Sequence, residues 1–361
     1  MQKYRREAAH AGSWYTGEAT QLERSLAQWL AQVAAKERSL GLSDETGMFR
    51  DPKASEKTHG VNIDPQGAQN SDAVQEDTNV ETVGANDLLR EQAQLGVLIV
   101  PHAGYAYSGE TAAYAYAQVN PDQVERVVIL GPSHHVYMRS CGLSGAQRLA
   151  TPFGDLFVDT ALIQDLIGQH PELFQLLPKK VDEEEHSIEM QLPFLAQVFR
   201  TRRERVRFVP VMCGALSPSK EQECGRFFGK LIGQPGTLLV ISTDFCHWGR
   251  RFRYTRGWGD DAGRERQRKG VALHQYIRAL DFAGLRLIAE KNPEAFVNYL
   301  HETGNTICGR HPLAVLLWAI HYAEPSRWSV QFLHYAQSSA CTDERDSSVS
   351  YVAGACWRRT A

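Results

Sequence analysis

The sequence predicts a single α/β domain in which helices flank a central, mostly parallel or mixed sheet. Short apolar runs of strand length recur along the chain, and helical patterns lie between them. Strands without polar alternation are typical of a sheet covered on both faces, and strands that alternate with helices favour an α/β fold. With 361 residues and 43% hydrophobic residues, the chain can form one elaborated domain with a substantial core.

The elements follow from hydrophobic spacing, taken in chain order. An amphipathic helix is predicted over residues 20–35, where Leu22, Leu26, Trp29, Leu30 and Val33 recur at helical spacing. Apolar runs predict strands over residues 97–100, 127–130, 206–212 and 238–241. Between them, helical patterns occupy residues 109–119, 160–168, 188–200 and 221–232. Helices over 271–280, 293–300 and 313–322 and a strand over 330–335 complete the prediction.

Residues 44–91 differ in composition from the rest of the chain. This segment has eleven acidic and four basic residues, and Phe49 is its one aromatic residue. A segment so poor in large apolar groups cannot offset the entropy lost on ordering. We interpret it as an acidic, disordered insertion, with a regulatory or docking loop as the alternative. Residues 1–43 and 92–361 then form one domain.

Composition also excludes several classes of protein. A formal charge of −3 argues against a general nucleic-acid binder. No apolar stretch approaches the roughly 20 residues of a membrane span, and the first thirty residues lack a signal-type apolar run. The seven cysteines are scattered and form no CxxC pair, which favours free thiols in a reducing compartment. We therefore expect a cytoplasmic protein, with the nucleus as a second location.

Histidines follow three of the predicted strands. His102 comes after the first strand, His134 and His135 after the second, and His247 with Asp244 after the strand over 238–241. Ligands of open α/β sheets bind beyond the carboxyl ends of the strands, so we expect these side chains to converge. Neutral imidazole is a good ligand for iron, copper and zinc. The pattern indicates a metal site to which His102 and His134 supply imidazoles.

Seven longer strings occur in a fixed order: HAGSWY (10–15), PHAGY (101–105), GPSHH (131–135), EEHSIE (184–189), STDFCHWG (242–249), NTICGRHP (305–312) and YAQSS (335–339). In sequence and order they resemble the Memo family, named for mediating cell motility. The resemblance extends from Arg5 to about Gly354, except for residues 44–91. It implies a single α/β domain similar to the class III extradiol dioxygenases of the LigB type, which use Fe(II) to open catechol rings.

The resemblance also implies roles for individual residues. His102 and His134 match the two imidazole ligands, and Cys308 falls where the dioxygenases place a carboxylate ligand. His247 matches the acid/base histidine of those enzymes, and Asp244 lies beside it. Because thiolate is softer than carboxylate, Cys308 favours copper(I), or iron in a different electronic setting. The expected cofactor is therefore iron(II) or copper.

Three functions remain open at this point. The first is a Memo-type, metal-binding, redox-linked factor that acts in cell motility or cytoskeletal signalling through partners such as phosphotyrosine-containing proteins. The second is a working Fe(II)-dependent extradiol-type dioxygenase or related oxidoreductase. The third is a metal-free module that binds phosphopeptides. A zinc hydrolase is less favoured, because no second metal set with bridging carboxylates is apparent. If the protein is an enzyme, we expect a metal-dependent oxidoreductase.

Other residues near these motifs have simpler interpretations. His135 is expected to be a neighbour of the site, since adjacent residues rarely point at one centre. Glu184, Glu185 and His186 precede a predicted helix, where acidic groups complement the helix dipole; pocket lining is the alternative. Cys246 is expected in the core. Three aromatic residues either line a pocket entrance or simply pack: Trp14, Tyr15 and Tyr105.

Overall fold

A computed structural model describes residues 4–39 and 93–359. The described residues form twelve strands: β1 (Tyr4–Arg6), β2 (Ala93–Val100), β3 (Arg126–Pro132), β4 (Cys141–Leu143), β5 (Ala146–Leu149), β6 (Leu156–Val158), β7 (Phe174–Leu176), β8 (Arg207–Cys213), β9 (Thr237–Ser242), β10 (His247–Trp248), β11 (Trp328–Gln337) and β12 (Ser348–Arg359). The predicted insertion, residues 44–91, lies outside the described residues, so its predicted disorder stays a prediction.

The strands form one mixed sheet, as the sequence predicts. The strand order is β1-β5-β6-β8-β3-β9-β2-β12-β10, with β11 paired to β12 and β4 paired to β7 and β8. The central strands β8, β3, β9 and β2 run parallel to one another, whereas β12 is antiparallel to β2 and β11. The carboxyl ends of β3, β9 and β2 therefore meet at one edge of the sheet.

Eleven α-helices connect and cover these strands in the described residues: α1 (Ala19–Ser39), α2 (Tyr105–Tyr116), α3 (Thr160–Gln169), α4 (Lys179–Glu184), α5 (His186–Glu189), α6 (Leu192–Val198), α7 (Pro218–Ile232), α8 (Asp261–Arg268), α9 (Leu273–Ala289), α10 (Pro293–Thr303) and α11 (Arg310–Tyr322). No helix within residues 4–39 and 93–359 is long and apolar enough to cross a membrane.

The predicted helix over 188–200 is two short helices, α5 and α6. Pro193 occupies the second position of α6. Proline has no amide hydrogen, so it cannot donate to the carbonyl of Glu189, four residues earlier. The prediction of one continuous helix was wrong for this reason, and His186 stands at the start of the separate short helix α5.

The core lies between the central strands and the helices packed on them. The side chains of Val127, Val128, Ile129 and Leu130 in β3 are fully buried, as expected for a strand covered on both faces. Helices α7 and α11 pack against each other and contact β9. Their approach is close because a Cβ atom at Gly225 would lie 2.2 Å from the Cβ atom of Trp318.

A buried carboxylate links helix α9 to the segments around the edge of the sheet. Asp281 is fully buried, and its Oδ1 accepts hydrogen bonds from the Cys246 amide and from Asn305 Nδ2, both at 3.1 Å. Its Oδ2 accepts a hydrogen bond from the Tyr335 hydroxyl at 3.0 Å. Burial raises the pKa of Asp281 to about 6, although these hydrogen bonds oppose the rise. Asp281 therefore favours its protonated form more in the folded than in the unfolded chain.

This pKa gives stability a definite pH dependence. A carboxyl group whose pKa is raised by folding contributes stability below its ordinary pKa, and that contribution is lost as pH rises through 6. Asp281→Asn removes the titration. We expect the difference in unfolding free energy, wild type minus variant, to fall by about 3 kcal/mol at most between pH 4 and pH 7. Urea unfolding across this range measures it, and a difference independent of pH would contradict the assignment.

Candidate metal centre

The edge where β2, β3 and β9 end brings the predicted ligands together. His102 follows β2, His134 follows β3, and Cys308 lies on the loop between α10 and α11. Each of these three side chains places a donor atom within 4.8 Å of those of the other two. Two imidazoles and one thiol, the set implied by the family resemblance, therefore share one small volume.

His102 is held in one tautomer by its partners. Its Nδ1 lies 2.8 Å from Ser242 Oγ. The Ser242 hydroxyl donates its hydrogen to the Ser187 carbonyl at 2.7 Å and accepts a hydrogen bond from Gln191 Nε2 at 2.9 Å. Since Ser242 has one hydrogen to give, Nδ1 of His102 must carry the donated proton. The Nε2 lone pair then faces Cys308 Sγ, 3.2 Å away.

His134 is oriented by a buried carboxylate. Its backbone amide and its Nδ1 both donate to Glu185, at 2.7 and 2.8 Å. Burial raises the pKa of Glu185, but the hydrogen bond and charge of His134 outweigh this effect and hold the pKa well below its usual range. The carboxylate accepts the Nδ1 proton of His134, so the Nε2 lone pair of the neutral imidazole is free to bind a metal ion. Glu185 also accepts the Ser187 amide at 2.9 Å, so the predicted helix-end role and a site role coexist.

We expect Glu185→Gln to weaken metal binding at this centre by about tenfold, the lower end of what loss of an orienting partner costs. In wild type, each oxygen of Glu185 accepts one hydrogen bond from His134. A glutamine amide keeps one of these oxygens, but its NH2 group replaces the other and cannot accept a hydrogen bond. The His134 imidazole then loses its fixed tautomer. Competition titration with a chelator measures the affinity. Glu184→Gln is the matched control, because Glu184 is exposed and pairs with Lys180 at 3.6 Å. Equal affinity in both variants would argue against the orienting role.

Cys308 is held against the end of β9. Its Sγ accepts the Asp244 amide at 3.2 Å. The loop approaches this closely because residue 309 is glycine: a Cβ atom there would lie 2.3 Å from the Cβ of Thr243. Burial, reinforced by the charge of Asp244, raises the pKa of the Cys308 thiol. The thiol is therefore protonated on its own, and a metal ion would have to displace its proton.

Asp244 and His247 are the residues predicted to support catalysis, and Asp244 lies directly beside His102 and Cys308. Asp244 Oδ1 accepts the His102 amide at 2.9 Å, and its Oδ2 lies 4.0 Å from His102 Nε2. Burial raises the pKa of Asp244, while the charge of His247 opposes the rise. His247 Nδ1 donates to the carbonyls of Phe245 and Thr306, at 2.9 and 3.1 Å. The Nε2 of a neutral His247 is therefore an acceptor, as a general base requires.

His186 belongs to the site, although the sequence interpretation gave it mainly a helix-end role. Its ring stacks on His134 with centroids 4.4 Å apart, and it lies 5.4 Å from His102. Burial and the charges of His102 and His134 lower the pKa of His186 to about 2, so its imidazole is neutral. His135 was predicted to be a neighbour of the site. Its ring centroid lies 6.1 Å from that of His186, and it is outside the group of His102, His134 and Cys308.

The remaining predicted residues divide between packing and pocket. Tyr15 and Tyr105 are buried, and the Tyr15 hydroxyl donates to Glu189 at 2.9 Å. Cys246 is fully buried, as expected for a core residue. Trp14 is 37% exposed, and its ring centroid lies 4.3 Å from that of His186, with the ring planes tilted by 32°. Of the three aromatic residues, Trp14 is therefore the one at a pocket entrance.

The arrangement defines an α/β protein with a candidate centre for one metal ion at the carboxyl edge of a mixed sheet. Residues 69–355 match the family model described as Memo-like protein. The chain is 39% identical to "Protein MEMO1" of Homo sapiens and 40% identical to that of Xenopus tropicalis, each over 352 residues that cover 97% of this chain and 96% of the relative. It is 36% identical to "Protein memo-1 homolog" of Caenorhabditis elegans over 98% of this chain and 82% of that protein. The chain belongs to the Memo family.

A solved structure is also similar. The crystal structure of an uncharacterized protein from Escherichia coli K12 matches with a TM-score of 0.45 and 15% sequence identity. The match covers 71% of this chain and 98% of the bacterial chain.

Proposed function

We propose that this Memo-family protein binds iron(II) or copper(I) through His102, His134 and Cys308 and acts as a redox-linked factor. The observation that carries the proposal is the convergence of the three donor atoms within 4.8 Å. Hydrogen bonds to Ser242 and Glu185 occupy Nδ1 of both imidazoles and leave their Nε2 atoms available to a metal ion. Two neutral imidazoles and a thiol suit a soft or borderline metal better than magnesium or calcium.

Each residue then has a defined task. When bound, iron or copper would supply one-electron redox chemistry. Cys308 supplies the soft ligand and gives up its proton. Asp244 fixes the backbone of His102 through the 2.9 Å hydrogen bond, and His247 holds an acceptor nitrogen close enough to influence Asp244. His247 can thus accept or return a proton near the ligands.

The cellular part of the proposal rests on the family resemblance. We place the protein in cell motility or cytoskeletal signalling, acting through partners such as phosphotyrosine-containing proteins, in the cytoplasm and also the nucleus. Co-precipitation of the wild-type chain and of Cys308→Ser with cytoskeletal signalling proteins tests whether partner binding depends on the site.

The decisive experiment is anaerobic purification followed by elemental analysis and diffraction at the iron and copper absorption edges. We expect about one metal ion per chain beside His102, His134 and Cys308. A chain that takes up neither metal, yet binds phosphotyrosine peptides, would replace the proposal with the metal-free binding module.

A ring-cleaving Fe(II) dioxygenase is the second candidate, and the free Nε2 of His247 favours it, because such an enzyme needs a base for the phenolic proton. The thiol of Cys308 argues against it, because a thiolate is itself open to oxidation. We expect negligible oxygen uptake with protocatechuate by the Fe(II)-loaded protein. Cys308→Glu restores a carboxylate, and any cleavage it gains should depend on His247. Robust turnover by the unmodified protein would favour the dioxygenase.

A further inference from the structure

A solvent-open pocket of about 890 Å³ lies beside the candidate centre. Its lining includes three imidazoles, those of His10, His135 and His186, together with Trp14. Two lysines and two glutamates also line it, but they pair as Lys179–Glu183 and Lys180–Glu184 at 3.6 Å each. The pocket therefore offers imidazole nitrogens as donors, and the two lysine–glutamate pairs add no net charge to it.

His186 lies at the centre of this group of histidines. Its ring centroid lies 6.0 Å from that of His10 and 6.1 Å from that of His135, both on the pocket side. On the other side it lies 4.4 Å from His134 and 5.4 Å from His102. A continuous series of imidazoles thus leads from the pocket to two of the three proposed ligands.

Donor atoms of three side chains lie close together around His186. His186 Nδ1 lies 3.5 Å from Glu185 Oε1, and the donor atoms of His134, Glu185 and His186 all lie within 4.8 Å of one another. However, the planes of the His134 and His186 rings make an angle of only 21° with each other. Lone pairs of nearly parallel rings run side by side and do not converge, so this geometry is poor for a resident ion held by both.

We propose that His186, with Glu185, is an entry station where a borderline or soft cation first binds before it moves to His102, His134 and Cys308. This inference rests on the proposed function. The cation keeps its oxidation state throughout. Its bond to His186 breaks as a bond to His134 forms, and the Cys308 thiol proton leaves to water in the pocket. His186 is a transit ligand and not part of the final coordination.

A transit ligand has a kinetic signature. Such a ligand lowers the activation barrier between free and bound metal but does not change the free energy of either state. Its loss must therefore slow uptake and release by the same factor. The dissociation constant is the ratio of the two rates and stays the same. A resident ligand behaves differently, because its loss raises the dissociation constant.

The test uses Co(II) as the probe, because its charge-transfer absorption with a thiolate reports arrival at Cys308. Under anaerobic, reducing conditions, stopped-flow mixing gives the uptake rate and extraction by a chelator gives the release rate. His186→Phe keeps a planar ring between Trp14 and His134 but removes both nitrogens. We expect uptake and release each to slow by about tenfold or more, with an unchanged dissociation constant. The control is His321→Phe, an exposed histidine near the end of α11, which should change neither rate.

Two outcomes would overturn the entry station. Unchanged rates in His186→Phe would show that the metal takes another path. A raised dissociation constant, whether from slower uptake or from faster release, would show a resident ligand. His186→Gln, which keeps a polar side chain, repeats the measurement should the phenylalanine variant lower the melting temperature. Cys308→Ser separates this inference from the proposed function. That variant loses the thiolate absorption, so its Co(II) affinity is measured by competition with a chelator, and an affinity equal to that of the wild type would refute the ligand set itself, whatever His186 does.

Discussion

Cys308→Ser is expected to weaken binding of copper(I) or iron(II) by about 100-fold or more, because loss of a ligand costs at least as much as loss of an orienting neighbour. A serine hydroxyl does not ionise in this range and is a poor ligand for soft metals. The fold should survive, since Cys308 is only partly buried and serine can keep the contact with the Asp244 amide. Chelator competition measures affinity, and thermal unfolding checks the fold.

Two comparisons sharpen this prediction. Cys341→Ser removes a buried thiol from another loop and should leave metal affinity unchanged. Wild-type protein should release about one proton for each metal ion bound, from Cys308, whereas Cys308→Ser should not. Calorimetry in buffers of different ionisation enthalpy gives the proton count. Equal affinity and equal proton release in wild type and Cys308→Ser would exclude the thiolate as a ligand.

Arg6→Met is expected to lower the unfolding free energy by about 3–5 kcal/mol, the usual cost of leaving a buried charge without its partner. Arg6 in β1 is fully buried. Its guanidinium pairs with Glu189 at 2.9 Å and with Asp182 at 3.4 Å, and it donates to the Glu185 carbonyl at 2.8 Å. Methionine fills much of the volume but leaves the Glu189 carboxylate buried without its cation. Urea unfolding at neutral pH measures the loss.

The neighbouring residue provides the matched control. Arg5 also forms ion pairs, with Glu7 and Asp155, but its side chain is 45% exposed, so Arg5→Met should cost about 1 kcal/mol or less. In the double variant Arg6→Met with Glu189→Gln, no full charge remains at position 189, and part of the lost stability should return. Equal losses of unfolding free energy in Arg5→Met and Arg6→Met would show that the buried ion pairs of Arg6 contribute no more to stability than the exposed pairs of Arg5.

The sequence predicted the central strands and the convergence of His102 and His134 for one physical reason. Buried parallel strands are continuously apolar, so residues 97–100 and 127–130 stand out, and histidines placed just after such strands must meet at one edge. No comparable sequence pattern marks Cys308, because the sequence around a loop cysteine does not reveal which residues it contacts in the fold. It was identified through the family resemblance, and the structure brings its Sγ to 3.2 Å from His102 Nε2; its role as a metal ligand stays a prediction.

The missed features depend on contacts between distant parts of the chain. Strand β12 contains Ala353, Gly354 and Ala355, which carry little strand propensity, and it forms because β2 and β11 enclose it on both sides. Glu185 and His186 resembled ordinary residues at a helix start. Both contact His134, and the contact of Glu185 spans 51 residues of sequence, which no local pattern encodes.

The wide spacing of the proposed ligands has a consequence for protein synthesis. His102 and Cys308 are separated by 206 residues, and strand β12 beside β2 is completed later still. A chain emerging from the ribosome carries both imidazoles long before it carries the thiol. With the proposed ligand set, tight capture of metal requires the finished sheet, so nascent and truncated chains would not withdraw iron or copper from the cell. Metal occupancy would then serve as a measure of completed folding.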